Sequence, residues 1–235
     1  MDTLPVKLRL DEGGLPGKME GVTEQKNIRV GVLGAAVFWG SLWGIGEATA
    51  GHILHLLRVP GIAGLIMFPA GFFLMSRAFD RSGKPAAIFL TACTAAAIKL
   101  TDLVIPGSDV FSVINPAQAI LLESLAVMGI FSFLKRTGRI SLLPPLLASV
   151  FWRLAYVFLG VLVSQVFPIR NLLETGPVPL LRYLLVDGSA NGYLIYLILR
   201  MQKSSSRSGR SSIQPVPAVY SFLCFAAAVL IEFVV

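Results

Sequence analysis

Seven runs of apolar residues, each of membrane-spanning length and divided from one another by short turns rich in Gly, Pro and charge, constrain this chain more than any motif in it. A span takes about 17–25 residues, and backbone groups in hydrocarbon are satisfied only within helices or closed barrels. The runs are Ile28–Leu57, Gly61–Phe79, Pro85–Ile105, Asn115–Leu134, Ser141–Phe167, Val178–Leu199 and Pro217–Val235. They predict an all-α polytopic transmembrane helix bundle of six core helices plus a seventh at the C-terminal end. Composition agrees: 55% of the 235 residues are hydrophobic and 14% charged, and the mean hydropathy is +0.75, well away from ordinary soluble domains. Asn115-Pro116 reads as the start of the fourth helix and Pro144-Pro145 as the start of the fifth, positions where a missing N–H costs least.

Residues 1–27 read as a polar, cytosolic N-terminal tail; the tail has no apolar core of the kind a signal peptide carries. Residues 28–200 form the six-helix bundle, 201–214 a flexible Ser-rich basic linker, and 215–235 the additional helix. The net charge of +7 does not point to nucleic acid, because the Lys and Arg residues cluster in alternate turns. Arg77, Arg81 and Lys84 follow the second run, Lys135, Arg136 and Arg139 the fourth, and Arg200, Lys203, Arg207 and Arg210 the sixth. Cytoplasmic loops carry such an excess, so the N-terminus is expected inside the plasma (inner) membrane and the C-terminus outside. Cys93 and Cys224 each fall inside an apolar run and read as small buried residues.

At about 1.5 Å per helical residue, this topology puts nearly all the intramembrane charge in the outer half of the bilayer. Glu47 lies near the outer end of the first helix, with His52 and His55 beyond it. Lys99 and Asp102 end the third; Glu123 is about two turns into the fourth. Arg153 lies nearest the middle, and Arg182, Asp187 and Asn191 occupy the sixth. Ionisable groups are costly in hydrocarbon unless paired or turned toward water or protein. Their placement therefore predicts an outward-facing polar cavity binding a small hydrophilic molecule through Glu47, His52, His55, Glu123, Arg153, Arg182, Asp187 and Asn191. Lys99 and Asp102, at i and i+3, read as a structural pair.

His52 and His55 share a helix face, a spacing that transition metals accept, but no glutamate adjoins them as in His-Glu-x-x-His. Metal binding, substrate contact and capping of a helix end stay open for this pair, and no metal or other cofactor is assigned. In the first helix Ala36, Gly40, Gly44 and Ala48 recur every four residues, a stripe that lets helix backbones approach closely, either within the bundle or against a separate membrane protein. At thirty residues the first run is too long for a straight span, so a tilt or a break near Gly44–Gly46 or Gly51 is expected.

A six-helix bundle with a cytosolic N-terminus, this stripe and polar groups converging on the outer side resembles the substrate-binding S component of an energy-coupling factor transporter. The resemblance implies uptake of a vitamin-like compound or metal ion, energised by a transmembrane T component and two cytosolic ATPases. It further implies that Ala36, Gly40 and Gly44 contact the T component, and that the mixed charges suit a zwitterionic or multifunctional ligand. The chain has no Gly-x-x-x-x-Gly-Lys-[Ser/Thr] and so no ATPase motif of its own. Three other classes remain: a self-contained secondary transporter or channel, an intramembrane enzyme using Glu47, His52, His55 and Glu123, and a non-transporting assembly subunit.

Overall fold

The structure, a computed structural model, describes residues 17–51, 53–54, 62–167, 172–208 and 218–233. Among them it is all-α. Helix α1 is Gly17–Gly46, α2 Ile62–Ser82, α3 Ala86–Leu100, α4 Val110–Thr137, α5 Leu143–Ser164, α6 Asp187–Ser208 and α7 Ala218–Glu232. Four of the described helices are long and apolar enough to cross a membrane: α2, α3 with its 3-10 continuation to Val104, α4 and α5; α7 is apolar but shorter. The chain is thus a helical bundle suited to a membrane.

Helix α2 occupies the centre and touches α1, α3, α4 and α6, while α7, α1, α3, α4, α5 and α6 follow one another around it. Its Phe68, Phe72 and Met75 are fully buried. Phe72 stacks on Phe131 of α4 at 5.9 Å between centroids, and Phe68 meets the edge of Trp152 of α5 at 5.3 Å. Between hydrocarbon-facing helices association relies on such van der Waals fit and on small residues that admit close approach. Ala36, Gly40, Gly44 and Ala48 are all buried, and α3 fills much of their face. A Cβ on Gly40 would lie 2.5 Å from the Thr91 carbonyl oxygen, and one on Gly44 2.8 Å from Ile98 Cδ1.

Several boundaries differ from the sequence expectation, each for a local reason. The helical segment that becomes α1 begins at Gly17, inside the expected polar tail, since nothing between Gly17 and Asn27 breaks a helix. Its α geometry ends at Gly46 and gives way to a π-turn over Glu47–Gly51, at the glycine-rich place where a break was expected. Helix α4 begins at Val110 rather than at Asn115-Pro116: the Asp109 carboxylate accepts from the Ser112 amide at 2.9 Å and caps it, so Pro116 sits inside the helix. Helix α6 continues to Ser208 through the first part of the expected flexible linker. Gly138, with φ of 65°, ends α4 by donating to the Leu134 carbonyl at 2.8 Å, a left-handed cap that glycine adopts without strain.

The seventh helix is not an isolated addition. It packs along α1, Ser221 donates to the Gly34 carbonyl at 2.9 Å, and Glu232 is buried at its end.

Candidate functional site

The end of the bundle where α1, α3 and α7 finish and α2 and α4 begin holds a cavity of about 930 Å³. The turns bearing Arg77, Arg81 and Lys84, and Lys135, Arg136 and Arg139, lie at the other ends of those helices. Glu47, Lys99, Asp102, Glu123 and Arg153 line the cavity, and Trp152, Tyr156 and Tyr183 give it an aromatic wall.

Two π-turns shape this lining. Glu47 opens the first; Tyr183 lies in the second, Arg182–Val186, between the short helix Pro177–Leu181 and α6. Such wide turns are rare and concentrate at functional sites, because the extra residue re-aims the side chains around it. Here Tyr183 lines the cavity, whereas Arg182 is exposed and absent from its lining.

Arg153 is 1% exposed. It donates through Nη1 to the Ser149 carbonyl of its own helix at 3.0 Å, and its Nε has no partner. The guanidinium carbon lies 4.5 Å from the Trp152 ring centroid and 5.4 Å from that of Tyr183, so two aromatic faces offset part of the cost of burying the charge. Glu123 and Asp187 are within electrostatic range of it. Glu123, itself 5% exposed, makes no hydrogen bond or ion pair among the described residues, and Glu47 lies within electrostatic range of it. Glu47 accepts a hydrogen bond from the Trp43 indole at 3.2 Å.

At the edge of the same cavity Lys99 joins two helices. Its ammonium bonds Asp102 at 2.6 Å and Glu232 at 2.7 Å. The Lys99–Asp102 pair was expected from i, i+3 spacing, but Glu232, 133 residues away in sequence, was not: no local pattern links it to Lys99. One oxygen of each carboxylate, Asp102 Oδ1 and Glu232 Oε2, is buried without a partner.

The structure therefore brings Glu47, Glu123 and Arg153 to one cavity from α4, α5 and the end of α1. Asp187 lies within electrostatic range of Arg153 without lining the cavity. Asn191 is fully buried but tied to α2, donating to the Gly64 carbonyl at 2.9 Å, with Oδ1 unpartnered. His52 and His55 lie outside the described residues. Among the described residues no cluster of three or more His, Cys, Asp or Glu side chains offers a metal site. Trp152, Tyr156 and Tyr183 escaped the sequence reading, since aromatic residues in apolar runs carry no polar signal; the adjacency of Trp152 to Arg153 was the available clue.

A helical membrane bundle with a charged, aromatic-walled cavity in one end is the class that fold and site define. No protein-family model matches the chain, and comparison with curated proteins and with solved structures gives no match.

Proposed function

We propose that this chain is a membrane-embedded binding subunit for uptake of a small hydrophilic organic molecule, taken from the side opposite the basic turns and energised by separate ATPase partners. The observation that carries the reading is the pairing of a large cavity with buried charges that the protein leaves incompletely satisfied: Glu123 with no hydrogen bond or ion pair among the described residues and Arg153 with an orphaned Nε. Structural ion pairs bond one another directly, as Lys99 does its two carboxylates. Buried charge left open toward a cavity is what a polar ligand would complete. The cavity size falls in the range of sites that enclose a small organic molecule, roughly 300–1,000 Å³.

The distribution of Lys and Arg supports entry from outside, and the missing ATPase motif requires an external energy source. The likeness to an S component stands as part of this proposal, with one modification. In this structure the stripe of Ala36, Gly40, Gly44 and Ala48 is buried inside the chain, so a T-type partner would dock on another surface.

Co-purification with the products of neighbouring genes, followed by uptake assays, tests the proposal. An ATPase and a second membrane subunit should accompany the chain, and native mass spectrometry of gently solubilised protein should find a retained small molecule. A chain that isolates alone, retains nothing and supports no uptake would refute it.

A further inference from the structure

The charge inventory of the cavity identifies the kind of molecule it takes, on the reading that it is a solute site. Two cations and three carboxylates line it, Lys99 and Arg153 against Glu47, Asp102 and Glu123. Lys99 is fully engaged, and Arg153 keeps one unpartnered Nε. Lys99 is bound by Asp102 and by a fourth carboxylate, Glu232, and Arg153 has Glu123 and Asp187 within electrostatic range and two aromatic rings against its faces. The excess charge is negative: counting Glu232 and Asp187, five carboxylates stand against these two cations. Glu47 and Glu123 stand within electrostatic range of each other, with Lys99 in range of the first and Arg153 of the second; no described cation forms an ion pair with either, and Glu123 is both buried and, among the described residues, without a hydrogen bond. Two such carboxylates repel when both are ionised, and a positive group between them turns that repulsion into attraction.

We infer that the cavity binds an organic cation that carries an aromatic ring, its cationic nitrogen held between Glu47 and Glu123 and its ring against Trp152, Tyr156 and Tyr183. A bare inorganic cation would leave most of the 930 Å³ unfilled and make no use of three aromatic side chains on one wall. An anionic ligand would leave Glu47 and Glu123 facing each other and add to their repulsion. A zwitterion could use Arg153, but it would compete there with Glu123 and Asp187.

Three probes with the same ring and different charge test the assignment: tryptamine, a cation; L-tryptophan, a zwitterion; and indole-3-propionate, an anion. The full chain, in nanodiscs, is titrated with each by calorimetry and by shift in melting temperature. Tryptamine should bind at least ten-fold more tightly than L-tryptophan, and indole-3-propionate should give no shift. In Glu123→Gln and in Glu47→Gln tryptamine affinity should fall ten-fold or more while the unliganded melting temperature holds or rises, because one of two repelling charges has gone. A residue that served only to hold the fold would lower stability instead.

The inference is overturned if L-tryptophan or indole-3-propionate matches tryptamine, or if a folded Glu123→Gln or Glu47→Gln protein binds tryptamine as before. Those results leave the solute-binding reading in place, and so does a failure of all three probes beside a retained small molecule that is not cationic. Failure of all three with no retained molecule and no uptake overturns both.

Discussion

Replacing Lys99 by Met probes the contact that joins the C-terminal helix to the cavity. The substitution keeps an unbranched apolar stem one atom shorter than lysine and leaves Asp102 and Glu232 together without their cation. Removing one partner of a buried ion pair costs about 3–5 kcal/mol. The side chains of Lys99 and Asp102 are 18% and 15% exposed, which admits some hydration, so the lower end, about 3 kcal/mol, is expected. Glu232→Gln is milder. Lys99 keeps Asp102 at 2.6 Å and can still donate to the new amide oxygen, and the loss is about 1 kcal/mol. For a protein of this size each kcal/mol moves the melting temperature by about 2–4 °C; the two variants should fall by about 6–12 °C and 2–4 °C respectively.

The decisive comparison is the double variant. With Lys99 gone, Glu232→Gln relieves a repulsion instead of breaking an attraction. Lys99→Met with Glu232→Gln should therefore melt above Lys99→Met alone, giving a coupling of about 1–3 kcal/mol. Thermal unfolding in a fixed detergent measures all three. The reasoning fails if Lys99→Met costs no more than Glu232→Gln, or if the two effects add to within about 0.5 kcal/mol.

Gly40→Ala should destabilise by about 1–3 kcal/mol, since its Cβ would meet the Thr91 carbonyl oxygen at 2.5 Å; Gly31→Ala, inside the same helix with open space around it, is the control and should be neutral to slightly stabilising by the same melting assay. Trp152→Ala removes a ring that is 3% exposed and packed on Phe68 and Tyr156, and should cost about 3–5 kcal/mol in thermal unfolding. Asp109→Ala removes the cap of α4 and should cost about 0.5–2 kcal/mol, with faster amide exchange confined to the first turn of α4.

Much of the architecture was legible because bilayer thickness and backbone hydrogen bonding leave an apolar run of twenty residues few alternatives. The helices α2 to α5 and the gathering of Glu47, Glu123 and Arg153 at one end follow from run length and from counting residues inward from a turn. Reading failed where the deciding contact was remote or the backbone left its regular period. Glu232 meets Lys99 across 133 residues, and Asp109, a residue from the preceding turn, starts α4 well before Pro116. The stripe on α1 showed that something packs closely there. It did not show what, because glycine spacing is the same whether the neighbour belongs to the same chain or to another.

The wide turn Arg182–Val186 has a further meaning for how such a cavity can change over time. A π-turn holds one residue more than an α-turn, so it can lose a residue and become an ordinary turn while the helices on either side keep their facing. The helix that follows it is pinned by Asn191 on Gly64, and the turn itself presents Tyr183 to the cavity. A single-codon deletion in the turn would alter the wall of the site and leave the bundle standing. Relatives of this chain that take a different molecule should therefore carry one-residue gaps at this turn, or at Glu47–Gly51, more often than anywhere in α2 to α5.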